Sequence, residues 1–233
     1  MKFRLIGFAL ISALMLAGCQ AKNIGESDLD TLSAKASYAI GHNLGSNFKQ
    51  QFEDIDLTIL LQGIKDGMQD DVSLLTPEEF ETTMMTFQEE MTEKQTAKRK
   101  TMAENNLTEG QAYLAENRKK DGVTVLPSGL QYEVLQAGSG VSPKATDTVT
   151  THYAGTLIDG TEFDSSIKRG EPATFPVGGV IPGWVEALQL MKVGDKWRLV
   201  LPPDLAYGEN GAGEIIGPNA VLIFEVELLS IEE

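Results

Sequence analysis

The sequence predicts an α+β chain, with an all-α N-terminal module, one long helix and a β-rich C-terminal domain. Three observations carry this. Apolar residues recur every three or four positions from Leu29 to Phe48, the spacing of a helix face. No proline falls between Pro77 and Pro127, which leaves room for one extended helix. From Gly122 onward the pattern switches to alternation in runs rich in Val, Leu, Tyr, Phe and Thr, which reads as strands.

Composition bounds the function classes. The 233 residues are 42% hydrophobic and 23% charged, a globular balance that excludes wholesale disorder. The length corresponds to one large domain or two small ones at ~150 residues each. Acidic residues number 34 against 19 basic, a formal charge of −15, so nucleic acid is excluded as a partner by repulsion from phosphates. Cys19 is the single cysteine, and His42 and His152 are the two histidines. That supply permits no internal disulfide and no structural zinc site.

The N-terminus reads as an address and an anchor. Lys2 and Arg4 precede an apolar run from Leu5 to Leu16. It is shorter than the roughly 20 residues that span a bilayer and fits a secretory h-region. The run ends Leu16-Ala17-Gly18-Cys19, which resembles the lipobox of bacterial lipoproteins. The resemblance implies cleavage after residue 18, lipidation of Cys19 and anchoring by several acyl chains. Gln20, not Asp, follows, which by resemblance favours the outer membrane, facing periplasm or cell surface. Residues 19–27 read as a polar tether.

The helical module spans 28–76. Leu29, Leu32, Ala36, Ile40, Leu44 and Phe48 form the first stripe, with Gly41 and Gly45 beside it. Leu60, Leu61, Ile64 and Met68 form the face of a second helix, from about Thr58 to Asp70. Thr76-Pro77-Glu78-Glu79 is a third start, with a capping residue, proline at the first helical position and a capping box. Phe80, Met84, Phe87 and Met91 give this helix an apolar stripe that thins to Ala97, Met102 and Ala103 among Lys94, Lys98, Arg99 and Lys100. Continued to Asn117 it is on the order of 60 Å long at ~1.5 Å per residue. Gly110 costs roughly 1 kcal/mol relative to Ala, which predicts a weak point or break near 105–110. Lys119 to Gly122 closes this connecting segment, 77–120. About 65 residues of helix make a thin core for one chain, so the module is expected to form a homodimer.

In 121–233 strands are predicted at Leu130–Gln136, Thr148–Leu157, Lys196–Leu201 and Val221–Leu229, with Asp159-Gly160 as a turn. One helix is expected, Gly183 to Met191, started by Pro182. Strands with a single helix against them give an α+β domain of about 110 residues. No nucleophile–base pair, Walker pattern or dinucleotide glycine pattern is present. Ser165 and Ser166 have only His152 as a candidate base. Judged on polar motifs alone, the domain is a binding module.

Its apolar motifs say more. His152-Tyr153-Ala154-Gly155, Asp159 to Ser166, Val180-Ile181-Pro182-Gly183-Trp184, Ala206-Tyr207-Gly208 and Leu222 to Leu228, in that order, resemble the FKBP-type peptidyl-prolyl isomerases. The helical part resembles the Mip subfamily, named for the macrophage infectivity potentiator. The resemblance implies a bent antiparallel sheet of five or six strands wrapped around a short helix, with the active site between them. It also implies a V-shaped dimer on two long helices.

Carried over residue by residue, the site comprises Tyr153, Phe163, Asp164, Phe175, Val180, Ile181, Trp184, Tyr207 and Phe224, with Ile215 or Ile216 at the rim. Asp164 and Tyr207 take the catalytic roles. Trp184 is the floor, and Tyr153, Phe163 and Phe224 are the walls. Each alone reads as a core or turn residue; the joint pattern reverses that.

The implied function is isomerisation of X–Pro bonds in unfolded or proline-containing polypeptides outside the cytoplasm. It needs no cofactor or metal and is inhibited by macrolides of the rapamycin type. The alternative is a non-catalytic dimeric chaperone or surface interaction protein. The loop from Gly208 to Pro218, glycine-rich and acidic, predicts a mobile flap.

Overall fold

A computed structural model of the chain describes residues 24–52, 55–69 and 73–232. The leader and Cys19 lie outside the described residues. The chain forms two compact units that divide between Thr76 and Pro77.

The first unit holds α1 (Leu32–Gln51) and α2 (Leu57–Met68). Thr31 caps α1 by accepting from the Ala34 N–H at 3.1 Å. Asp56 caps α2 by accepting from Thr58 and Ile59, so each helix begins where a side-chain oxygen takes orphan backbone donors. No described residue between 24 and 109 is buried. Among the described residues nothing stands within 4 Å of where a Cβ would sit on Gly41 or Gly45.

The second unit begins with α3 (Pro77–Asn117), a continuous helix of 41 residues. The expected break at 105–110 is absent. Gly110 is buried, and a Cβ built there would stand 2.7 Å from Val221 Cγ2. The glycine therefore marks a close approach of helix to sheet, and the packing gained there offsets its poor propensity.

Seven strands follow: β1 (Val123–Val125), β2 (Gln131–Gln136), β3 (Thr148–Leu157), β4 (Glu162–Ser165), β5 (Ala173–Pro176), β6 (Lys196–Leu201) and β7 (Leu222–Glu232). They form one antiparallel sheet in the order β1-β2-β6-β7-β3-β4, with β5 also on β3. The count is seven, not five or six, because the three-residue β1 adds an edge. Two short helices lie among them, α4 (Ser166–Arg169) and α5 (Pro182–Leu190). The sequence had predicted only the second. Four residues are too few to show a period, although Ser165 at its start and left-handed Gly170 at its end are capping types.

Strand alternation splits the apolar residues between two faces. Trp197, Leu199 and Leu201 of β6 join Leu222, Phe224, Val226 and Leu228 of β7 in the main core, with Trp184, Ala187 and Leu188 of α5. Leu188, Leu199, Leu201, Leu222 and Leu228 are fully buried, each worth about 1.5–3 kcal/mol relative to exposure. On the other face Val200, Val221 and Ile223 form a second cluster, covered by Tyr113 and Leu114 of α3. The end of the long helix is thus a lid on the back of the sheet.

Candidate active site

Between α5 and the sheet lies an open cavity of about 500 Å³. Tyr153, Phe163, Asp164, Phe175, Gly179, Val180, Ile181, Trp184, Tyr207 and Phe224 line it. They come from several separate stretches of chain, brought together because β4, β5 and β7 all pair with β3 and α5 packs on the same core.

Trp184 sits at the centre. It is 4% exposed, on the first turn of α5, where Pro182 supplies the first helical position. Three rings meet it edge to face: Tyr153 at 5.3 Å and 89°, Phe175 at 5.4 Å and 65°, and Phe224 at 5.2 Å and 85°. Phe163 meets Phe224 in turn at 5.5 Å and 83°. Such pairs add about 0.5–1.5 kcal/mol each beyond area burial and fix ring orientation. The walls approach so closely that β3 must carry a glycine beneath them. A Cβ on Gly155 would stand 2.6 Å from the Phe163 ring and 2.8 Å from Phe224 Cε1.

One polar corner breaks the apolar lining. The Asp164 carboxylate accepts from the Tyr153 hydroxyl at 2.5 Å and pairs with the Arg169 guanidinium. Arg169 also donates to Tyr153 Oη at 3.0 Å and lies 5.6 Å from that ring's centre. Burial pushes the Asp164 carboxyl up, but the hydrogen bonds from Tyr153 and Arg169 outweigh it and hold the group below the usual carboxylate range. Burial, then the hydrogen bond to Asp164, raises the Tyr153 phenol. The corner is therefore an ionised carboxylate and a neutral phenol at neutral pH. Beneath it, Ser166 Oγ accepts the Tyr153 N–H at 2.8 Å and lies 3.1 Å from His152 Nδ1. This uses Ser166 as a fully buried strut and accounts for the one serine–histidine pairing in the sequence.

Tyr207, 40% exposed, stands at the other side, at the start of the flap. The Ile181 carbonyl accepts from Trp184 and Val185 at the head of α5, while the N–H of such a residue lies outside the helical ladder.

The expected pocket residues line this cavity, except the two rim candidates, Ile215 and Ile216. Ile216 is 9% exposed and packs in the main core. It pairs with Ala212 in a small antiparallel bridge, which turns it inward. Ile215, 49% exposed, lies on a separate groove against α3. Neither lines the cavity. Sequence reasoning missed Gly179 and Arg169; the spacing of Arg169 five residues after Asp164, across a short capped helix, was the available signal.

Comparison with known proteins gives the family. Residues 140–229 match the FKBP-type peptidyl-prolyl cis-trans isomerase family, and residues 33–134 match the domain amino terminal to FKBP-type peptidyl-prolyl isomerase. The chain is 45% identical over 233 residues to the outer membrane protein MIP of Legionella longbeachae, covering 100% of this chain and 99% of that one. It is 46% identical over 203 residues to the FKBP-type 22 kDa peptidyl-prolyl cis-trans isomerase of Escherichia coli, covering 87% and 97%. The crystal structure of FkpA from Escherichia coli superposes with a TM-score of 0.67 at 40% identity, covering 87% of this chain and 98% of that one. With a cavity floored by an indole and relatives of this kind along its whole length, the chain belongs to the Mip-like FKBP-type peptidyl-prolyl cis-trans isomerases.

Proposed function

We propose that the aromatic cavity is where the X–Pro bond turns, with Trp184 under the proline ring and Tyr153, Phe163 and Phe224 around it. The observation that carries this is the indole held by three edge-to-face rings with open space above it. Rotation about the amide faces about 18–20 kcal/mol because planarity and resonance are lost. The twisted amide has a less negative oxygen and a less positive nitrogen than the planar one, so water favours the ground state. A dry aromatic slot removes that bias and grips the ring while the acyl part turns.

Few polar groups are required. The Ile181 N–H and the Tyr207 hydroxyl bond substrate carbonyls and fix the chain direction. Asp164, ionised and locked by Tyr153 and Arg169, sits near the rotating carbonyl. Phe175, Val180 and Ile181 shape the rim. No proton moves and no covalent bond forms. A macrolide of the rapamycin type occupies the same slot.

The substrates are unfolded, proline-containing chains in the cell envelope, and the enzyme assists their folding. A relative named an outer membrane protein supports that location, as does the lipobox-like Leu16 to Cys19; Cys19 carries the anchor. The exposed apolar faces of the first unit, among them Ile40, Leu44, Leu61 and Ile64, support a homodimerisation module over 28–76. Residues 77–120 then connect it to the isomerase domain over 121–233.

The test is a proline-limited refolding assay on the full chain. Asp164→Ala should lower kcat/KM roughly 10–100-fold, the scale of a charge-assisted contact, and Tyr207→Phe about 2–10-fold, that of a neutral one. Wild-type rates in both variants would remove these residues from the site.

A further inference from the structure

The flap that carries Tyr207 is anchored to the core through Ile216, but it has few hydrogen bonds of its own. It has one internal bridge, Ala212 with Ile216, and one closing bond from the Asn219 N–H to the Gly208 carbonyl at 2.8 Å. Glycines at 208, 211 and 213 all have positive φ, so the backbone is also free to leave this shape when unrestrained. A mobile loop follows from the sequence.

The long helix supplies what the loop lacks. Arg99 Nη2 donates to the Asn210 carbonyl at 2.9 Å and the Glu209 carbonyl at 3.3 Å, just past Tyr207 and Gly208. Asn106 Nδ2 donates to the Pro218 carbonyl at 2.7 Å, at the far end of the flap. Between them Met102 packs on Gly217, where a Cβ would stand 2.6 Å from Met102 Sδ and 3.0 Å from Asn106 Nδ2. Residues 99, 102 and 106 fall on one helix face at three- and four-residue spacing. Further along, Gly110 meets Val221, Leu114 covers the back of the sheet, and Asn117 donates to Gln131 at 2.9 Å. The same helix is thus clamped to the rigid sheet at one end and to both ends of the flap at the other.

We propose that Arg99 and Asn106 are positioning residues for the isomerase. They hold both ends of the flap from outside the domain and so set where the Tyr207 hydroxyl meets the substrate. Both side chains donate to main-chain carbonyls, so the restraint acts on the path of the backbone and not on any flap side chain. This rests on Tyr207 contacting substrate, as proposed above. The consequence for specificity is direct: a looser flap costs most for substrates that depend on the Tyr207 contact.

The experiment uses the full chain with Arg99→Ala, Asn106→Ala, the double variant, Arg99→Lys, and Lys100→Ala as an exposed control on the same helix. Amide exchange is read over 208–219 and over β7, beside kcat/KM on a proline-containing tetrapeptide. The double variant should speed flap exchange at least about tenfold while β7 is unchanged. It should lower kcat/KM about 3–10-fold, the size of one lost neutral contact. Arg99→Lys, which keeps a donor at that position, should recover part of both effects. Wild-type flap exchange in the double variant overturns the proposal. So does faster exchange with unchanged kcat/KM, or an equal loss in Lys100→Ala. Tyr207→Phe is measured alongside. If it retains full activity, Tyr207 loses its substrate role, while flap exchange still decides whether the helix restrains the loop.

Discussion

Up to residue 109 no described side chain is buried, whereas from Gly110 onward the chain encloses a core of fully buried Leu, Val and Met. Both regions carry apolar residues but place them differently. The sheet domain faces its alternating residues inward from β6 and β7 and closes them with α5 on one side and α3 on the other. The helices of the first unit carry Leu32, Ile59, Leu61 and Met68 more than half exposed. Marginal stability tolerates little uncovered apolar surface, which is why the proposal above gives the first unit a partner surface. Under the proposal above, that partner is a second copy.

The contrast can be broken hardest at Trp184. Trp184→Ala removes the hub of three ring contacts and should cost about 3–5 kcal/mol together with most of the isomerase activity. Urea unfolding followed by circular dichroism, beside the refolding assay, checks both. A comparable deletion in the first unit, Leu61→Ala, should leave the unfolding of the sheet domain within about 0.5 kcal/mol of wild type.

Gly155→Ala is next in size. It places a methyl group under Phe163 and Phe224 and should cost about 1–3 kcal/mol by overpacking, with lower kcat/KM because the walls move. Retained kcat/KM at full stability would mean the rings have room the geometry denies them. At Gly110→Ala two effects oppose each other. Helix propensity favours alanine by about 1 kcal/mol, while the clash with Val221 disfavours it by about 1–3. The prediction is a net loss near 1 kcal/mol, read as a lowered denaturation midpoint; a gain would show that Val221 yields.

Replacing Ile64 with Glu should act on association alone. Under the proposed dimer, sedimentation of residues 20–233 at micromolar concentration should shift from dimer toward monomer, while kcat/KM on a short peptide stays within about twofold of wild type. The smallest expected effect is that of pH. Asp164 is held below its ordinary value, so its contribution is complete above about pH 4 and fades only as pH falls through the lowered value. Tyr153 is raised, so it stays neutral up to its ordinary range near 10 and beyond. Neither group changes charge between pH 6 and 8, and kcat/KM should be flat there. A steep titration in that window would contradict the ionised-corner geometry.

Regular elements and close-set motifs were legible in the chain. The bounds of β3 and β6 follow from alternation alone, and Pro182 announces α5. The pocket was legible through five separated motifs whose residues meet across the sheet. What sequence could not supply were facts about approach and orientation. Gly110 reads as a breaker until Val221 is seen against it. Ile215 and Ile216 are adjacent and alike, and only the bridge at Ala212 decides which turns inward. Arg169 sits on a helix too short for any period. The role of Tyr113 and Leu114 is not visible in the chain because their partners, Val200, Val221 and Ile223, lie far away in sequence.

The most direct test is a crystal structure of the full chain with a proline-containing tetrapeptide. The proline ring should lie flat over the Trp184 indole, with a peptide carbonyl within hydrogen-bond distance of the Ile181 N–H. A peptide seated elsewhere, such as the groove by Met102 and Ile215, with the space above Trp184 left unoccupied, would contradict the account.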